Sequence, residues 1–398
     1  MQALRAAQVY DGTAFQGAGT VLVDGERIVG VHSGHSEPPG DADVTTYAGT
    51  LLPGLVDCHV HLVSNGDMGA LERAGAATDE ELDAQVRESL TASAARGVTT
   101  VLDLGDRRYR TLEARALTAL PRVCAAGPPL TVPDGHCHFL GGVAVGVNGV
   151  REQVAEHVVR GVDVLKVMAS GGMTTAGTDV FAAQFSDEEL AAVVAAGHQA
   201  GLKVLAHAHA LAGVWHAIRA GVDGIEHFSC LTETGPQVSE ELLDAVAAAG
   251  VTIDLTLGFD FSQVPPPDAL PSAIRAAMER AGLDITTMYA QQVETASRIR
   301  AHGIRLVTGT DAGASPPKRH GGTALAIQTL VEAGYPVAEA VATATSVAAE
   351  YVGLAGVTGA VRPGLAADLL VVDGDLATDP GALDRPVALL VRGVTVLG

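Results

Sequence analysis

The chain has 398 residues, 47% hydrophobic but only 4% aromatic, so its core must be mainly Ala, Val and Leu. A net charge of −21 argues against a phosphate backbone or an anionic membrane as partner, and the acidic surface serves solubility. Cys58, Cys124, Cys137 and Cys230 form no Cys-x-x-Cys pair, the start MQALRAAQVYDGTAF has no secretory pattern, and no apolar run approaches the ~20 residues that span a bilayer. The expectation is a soluble cytoplasmic protein without a disulfide framework.

Residues 1–50 read as short strands in QVYDGTAF, TVLVDGERIVGV and VTTYAG, with Gly and Asp at the turns. Residues 357–398 read the same way in DLLVVDGD and VALLVRGVTVLG. Neither segment can hold a core alone. This predicts one small β-sandwich built from both ends, residues 1–53 with 357–398, flanking a central unit over 54–356.

In that central unit strand-like runs alternate with helical patterns, the signal of βα units. GLVDCHVH opens the series. VTTVLDLGD (98–106), RVCAAGPPL (122–130) and VDVLKVMAS follow, each after a helical stretch. Ser186 and Glu189 form a capping-box pattern at the start of a helix that leads into LKVLAHAH. Then come VDGIEHFS, VTIDLTLG (251–258) and, after a long helical region to about His302, IRLVTGTDAG. These are eight strands, and right-handed crossovers close them in chain order into an α/β fold, a (β/α)₈ TIM barrel. The connections 131–147, 171–185 and about 258–272 are long, and loops of that length carry function.

Polar residues of metal-binding type end these apolar runs: His59 and His61, Lys166, His207, His227 and Asp311. The C-terminal ends of parallel barrel strands share one face, where chemistry is built. His59 and His61, two apart on a strand, point the same way and can grip one ion. His209 competes with His207 for the same role. Lys166 is one of three lysines, with Lys203 and Lys318, and lies in Val-Leu-Lys-Val-Met. A buried ammonium there is costly and has no lone pair. Carrying a carboxylate from CO₂, it would become an oxygen ligand able to bridge two ions. Asp311 can both ligate and move a proton, and such a centre suits hydrolysis of an amide-like bond. In His136-Cys137-His138, an extended backbone would turn the Cys away from both histidines, which suggests support or substrate contact. Thr174, Thr175 and Thr178 are further substrate-contact candidates. Trp215 reads as helix packing.

The motifs PGLVDCHVH, LKVMASGGMTT, AHAH, GIEH and TGTDAG resemble those of the metal-dependent amidohydrolase superfamily, in its imidazolonepropionase-like and Xaa-Pro dipeptidase-like group. The resemblance spans nearly the whole chain. It implies two divalent metal ions, usually zinc, on His59, His61, carboxylated Lys166, His207 and His227, with Asp311 as the catalytic carboxylate. It also implies substrate contact by His136 and a homo-oligomer, while His138 and Thr174 remain substrate-contact candidates on the reading of the residues alone. The expected reaction is hydrolysis of a C–N amide bond in an N-acyl amino acid, dipeptide or related amide. The alternatives are a cyclic amide (imidazolone- or hydantoin-like) or lactone hydrolase using the same site, and a non-catalytic barrel. Two departures bear on substrate. Leu211-Ala212-Gly213-Val214-Trp215 lacks the Tyr that dipeptidase-like relatives often carry, and GHCHFLGG differs from their usual GHGD.

Overall fold

The computed structural model describes residues 1–37, 39–270, 272–282 and 284–398. Eight parallel strands form the barrel: Leu55–Val60, Val98–Asp103, Arg122–Ala125, Val164–Met168, Lys203–Ala210, Gly224–Thr232, Thr252–Asp254 and Leu306–Val307. The first, second and fourth are buried along their whole length, as strands sandwiched between a packed barrel interior and a helical shell must be. Each strand pairs with the next in chain order. Bridges Leu130↔Val167 and Val60↔Ala312 join the third strand to the fourth and the eighth to the first, which closes the ring.

The seventh and eighth strands are shorter than the sequence predicts, for a visible reason. The buried Asp254 carboxylate accepts hydrogen bonds from Thr256 N at 2.8 Å and Gly309 N at 3.1 Å. Asp57 does likewise for His59 N and Thr310 N, at 3.2 and 3.0 Å. Side-chain oxygens thus take over from the backbone ladder where the chain leaves the barrel. Burial pushes the Asp57 carboxyl up to about 7.

The capping box forms: Ser186 Oγ accepts from Glu189 N, and the Glu189 carboxylate accepts from Ser186 N, opening helix Asp187–Gln199. Trp215 packs against the core from helix Leu211–Ala220. All four cysteines are buried free thiols. Among the described residues, no helix is long and apolar enough to cross a membrane.

Beside the barrel lies a seven-stranded sheet. Its order is Val394–Leu397, Pro386–Val391, Leu369–Val372, Asp43–Pro53, Gln2–Val9, Gly19–Asp24 and Arg27–Ser33. The two chain ends meet where Thr50–Pro53 pairs antiparallel with Leu369–Val372. The strands form one sheet whose far edge curls back, where Arg27 bridges Ala366, and Leu4, Val21, Ile28, Leu51, Leu369 and Leu390 form its own apolar cluster. Deleting residues 357–398 removes three strands and uncovers Leu51 and Leu52. The expected result is a melting midpoint lower by on the order of 10 °C, or insoluble protein, read by thermal unfolding and fractionation. Unchanged solubility and stability would refute the shared sheet.

Candidate active site

The C-terminal mouth of the barrel holds two triads of donors that line the cavity, and a third, His59, Glu226 and Asp254, lies buried beneath them. His59, His61 and Asp311 each present a ligand atom, all within 4.8 Å of one another. His207, His209 and His227 do the same. Asp311 Oδ1 is 3.4 Å from His59 Nε2 and 3.1 Å from His61 Nε2. The His207 ring centroid lies 4.7 Å from that of His209 and 4.6 Å from that of His227. Lys166 lines the same cavity, is 1% exposed, and its Nζ has no hydrogen-bond partner among the described residues.

Outer contacts orient the imidazoles. His59 Nδ1 donates to Glu226 Oε2 at 2.8 Å, His61 Nδ1 to the Gly105 carbonyl at 3.2 Å, and His207 Nε2 to the Gly171 carbonyl at 3.2 Å. An acceptor on one nitrogen leaves the lone pair on the other, the arrangement that sets up a metal ligand. His227 Nδ1 pairs with Thr256 Oγ1 at 3.1 Å, and His209 Nδ1 with Ser229 Oγ at 2.9 Å.

Burial lowers the pKa of these rings. His59 and His209 fall to about 4, and His207 and His227 well below the usual range, all four pushed further down by the Lys166 charge. His61 is the exception: burial would lower it, but its hydrogen bond to Asp311 raises it. Burial would raise Asp311, yet His61, His59 and Lys318 hold it well below the ordinary carboxylate range. Burial lowers Lys166, against the opposing charges of Glu226, Asp311 and Asp254. The site therefore offers four neutral imidazoles, with His61 held toward its charged form by an ionised Asp311.

His227, inside the sixth strand, and Thr256 and Asp311, just past the seventh and eighth, have left-handed backbones with φ of 70°, 48° and 58°. Non-glycine residues seldom adopt this region, and such strain collects at functional sites. Gly309, in Thr-Gly-Thr-Asp, allows the close approach beneath them. A Cβ there would overlap Asp254 Oδ2 and stand 2.6 Å from His59 Cβ. Gly309→Ala should push the Asp254 and Glu226 support away from His59 and weaken metal retention by about 10–100-fold, measured by chelator competition. Wild-type retention would show that these acids do not tune the site.

His136 and Thr174 line the cavity, and His136 Nδ1 is 2.8 Å from Thr175 Oγ1. Thr178 bonds within its own loop, to Gly172 and Thr175. His138 is not brought to the cavity. Cys137 is left-handed at φ 57°, so the segment turns into the short 3₁₀ helix His138–Leu140 instead of running extended. His136 and Cys137 then both face inward, and His138 Nδ1 bonds the Gly135 carbonyl at 2.9 Å. Sequence reasoning passed over Glu226, Asp254 and Lys318. The first two sit in GIEH and VTID, Glu226 one residue from His227 and Asp254 on the next strand, opposite Glu226.

The three long loops roof a cavity of about 380 Å³. The 131–147 loop gives Phe139, the 171–185 loop Met173, and the 258–272 loop Phe259 and Leu270. Pro271, in that last loop, lies outside the described residues. Helices Ser272–Ala281 and Ile285–Ala301 add Met278 and Met288. This volume suits a small molecule, with polar groups deep and apolar ones outside.

A parallel barrel with this donor set at its mouth defines a hydrolase of amide-type C–N bonds. The family described as "Amidohydrolase family" matches residues 50–396, and the chain belongs to it. It is 27% identical to an ochratoxinase of Aspergillus niger over 96% of this chain and 84% of that protein. It is 28% identical to an imidazolonepropionase of Salinispora arenicola over 63% of this chain and 66% of that one. Among solved structures, a Xaa-Pro dipeptidase with methionine bound in its active site superposes with a TM-score of 0.87, at 25% identity and full coverage of both chains.

Proposed function

We propose that the protein hydrolyses a small-molecule amide, an N-acyl amino acid, dipeptide or related compound, using two divalent metal ions. The observation that carries this reading is Lys166: a buried amine with no hydrogen-bond partner among the described residues, ringed by imidazoles whose pKa values it perturbs. Its lowered pKa favours the neutral amine, the form that adds to CO₂, releases a proton and becomes an N-carboxylate. His59, His61, His207, His227, carboxylated Lys166 and Asp311 would hold the ions, and a donor set of imidazole and carboxylate without thiolate suits zinc. Bound there, the ions would supply Lewis acidity and lower the pKa of water.

The chain's own residues supply the rest. Asp311 takes a proton from the attacking water and delivers it to the departing nitrogen. Glu226 and Asp254, beneath His59, fix the orientation of its ring. His136 and Thr174 contact the substrate beside them, and the roof of Met173, Phe259 and Met288 keeps bulk water out. The likeness to an amide-cleaving relative along almost the whole chain supports an acyclic amide.

The test is a panel of dipeptides, N-acyl amino acids, hydantoin-like rings and lactones with zinc-loaded protein. Turnover of acyclic amides is expected. Turnover confined to lactones or rings would replace this reading.

A further inference from the structure

Lys318 is the second lysine lining the cavity and lies outside all three triads. The loop that follows Asp311 doubles back to place it. Gly313 N donates to the Lys318 carbonyl and Lys318 N to the Ser315 carbonyl, both at 2.8 Å. The side chain is 8% exposed. Its ammonium donates to the Thr256 carbonyl and, at 3.4 Å, to that of Leu257, both just past the seventh strand. Phe259, of the apolar roof, has its ring centroid 5.7 Å from Nζ. The cation therefore stands where the polar floor meets the roof, near enough to Asp311 for each charge to act on the other.

Two carbonyls do not neutralise a buried charge. Among the described residues no carboxylate lies within 4.0 Å of Lys318, although the chain carries 46 acidic residues. A buried cation without an anion in contact is costly unless a ligand completes it. No arginine lines the cavity among the described residues, and Lys166 is committed to the triads. Resting on the reading of this site as an amide hydrolase, we propose that Lys318 anchors a carboxylate of the substrate and so selects amides that carry a free acid near the scissile bond. The two carbonyls position the ammonium, and its third hydrogen is left for the substrate. The apolar group of the substrate then lies against Phe259 and the methionines.

The probes are N-methylsulfonyl-L-methionine and its neutral counterpart N-methylsulfonyl-L-methioninol, neither of which offers an amide to cleave. Binding to zinc-loaded protein is measured by calorimetry. Wild type should bind the acid at least about tenfold more tightly than the alcohol. Lys318→Gln should weaken the acid by about 30-fold or more and the alcohol by less than about threefold, while Lys318→Arg keeps the preference for the acid. Equal binding of acid and alcohol by wild type overturns the proposal. So does equal weakening of both in Lys318→Gln, which would make Lys318 only a pin for the strand end, or an unchanged acid affinity, which would put the carboxylate on the metals. A measurement on wild type alone guards against a variant that fails to fold. With three lysines in the chain, ¹³Cε-lysine labelling gives a sparse spectrum, and the Lys318 signal must move with the acid and not with the alcohol. Acid-selective binding without turnover of any amide would leave Lys318 in its role and refute the hydrolase reading instead.

Discussion

Lys166→Ala should cost the protein both its metal and its activity. The side chain is buried among six imidazoles and contributes nothing to them as an ammonium except repulsion, which all six rings register. As an N-carboxylate it would supply the anion that lets two cations share so small a volume. Its removal should leave at most one weakly held ion and lower kcat/KM by about 10³-fold or more, the equivalent of several kcal/mol of transition-state stabilisation. Metal content by elemental analysis and turnover should fall together. Added bicarbonate or a short-chain carboxylic acid should restore part of both, because a free acid can occupy the space vacated. Mass spectrometry of the native protein under CO₂ gives an independent reading, since carboxylation adds CO₂ to a lysine-poor chain. Full metal occupancy and wild-type turnover in the alanine variant would remove Lys166 from the centre.

Asp311→Asn should separate holding the metal from moving the proton. Asp311 Oδ1 faces His59 Nε2 and His61 Nε2 at 3.4 and 3.1 Å, and an amide oxygen can occupy the same point. An amide cannot accept a proton. The variant should keep most of its metal, more than His59→Ala or His61→Ala keeps, yet lose about 10²–10⁴-fold in kcat. The comparison is made on protein shown to be metal-replete. Wild-type turnover there would move the base to another group, with His209 next in position, since it shares a triad with His207 and His227.

Much of this centre could be read from the sequence because each donor ends an apolar run and barrel topology brings those ends together. What could not be read depends on local departures from regular strand geometry. Alternation along a strand puts Glu226 and His227 on opposite faces. In the structure the left-handed turn at His227 and Phe228 breaks that rule, and both side chains reach the centre, Glu226 beneath His59 and His227 beside His207. The same kind of turn at Cys137 brings Cys137 inward and carries His138 away. Asp254 was hidden differently. It lies inside an apolar run, and its value comes from bonding the backbone of Gly309, more than fifty residues on. Lys318 had no pattern around it at all, because a loop places it and not a strand. The barrel and the sheet at its side followed periodicity, which sequence displays well; the supports of the site follow single dihedral angles, which it does not.

The sheet shared by the chain ends also imposes an order on biosynthesis. Strand Asp43–Pro53 leaves the ribosome with one neighbour, Gln2–Val9, already made, but its other partner, Leu369–Val372, follows more than three hundred residues later. At about 5–20 residues per second, that is a wait on the order of tens of seconds. Throughout it the nascent chain carries an open strand edge displaying Leu51 and Leu52, a template for pairing with any other chain nearby. The whole barrel is translated during this interval, directly after that edge. Residues 357–398 therefore act as a clasp, and the exposed edge stays open to misassembly until they are made.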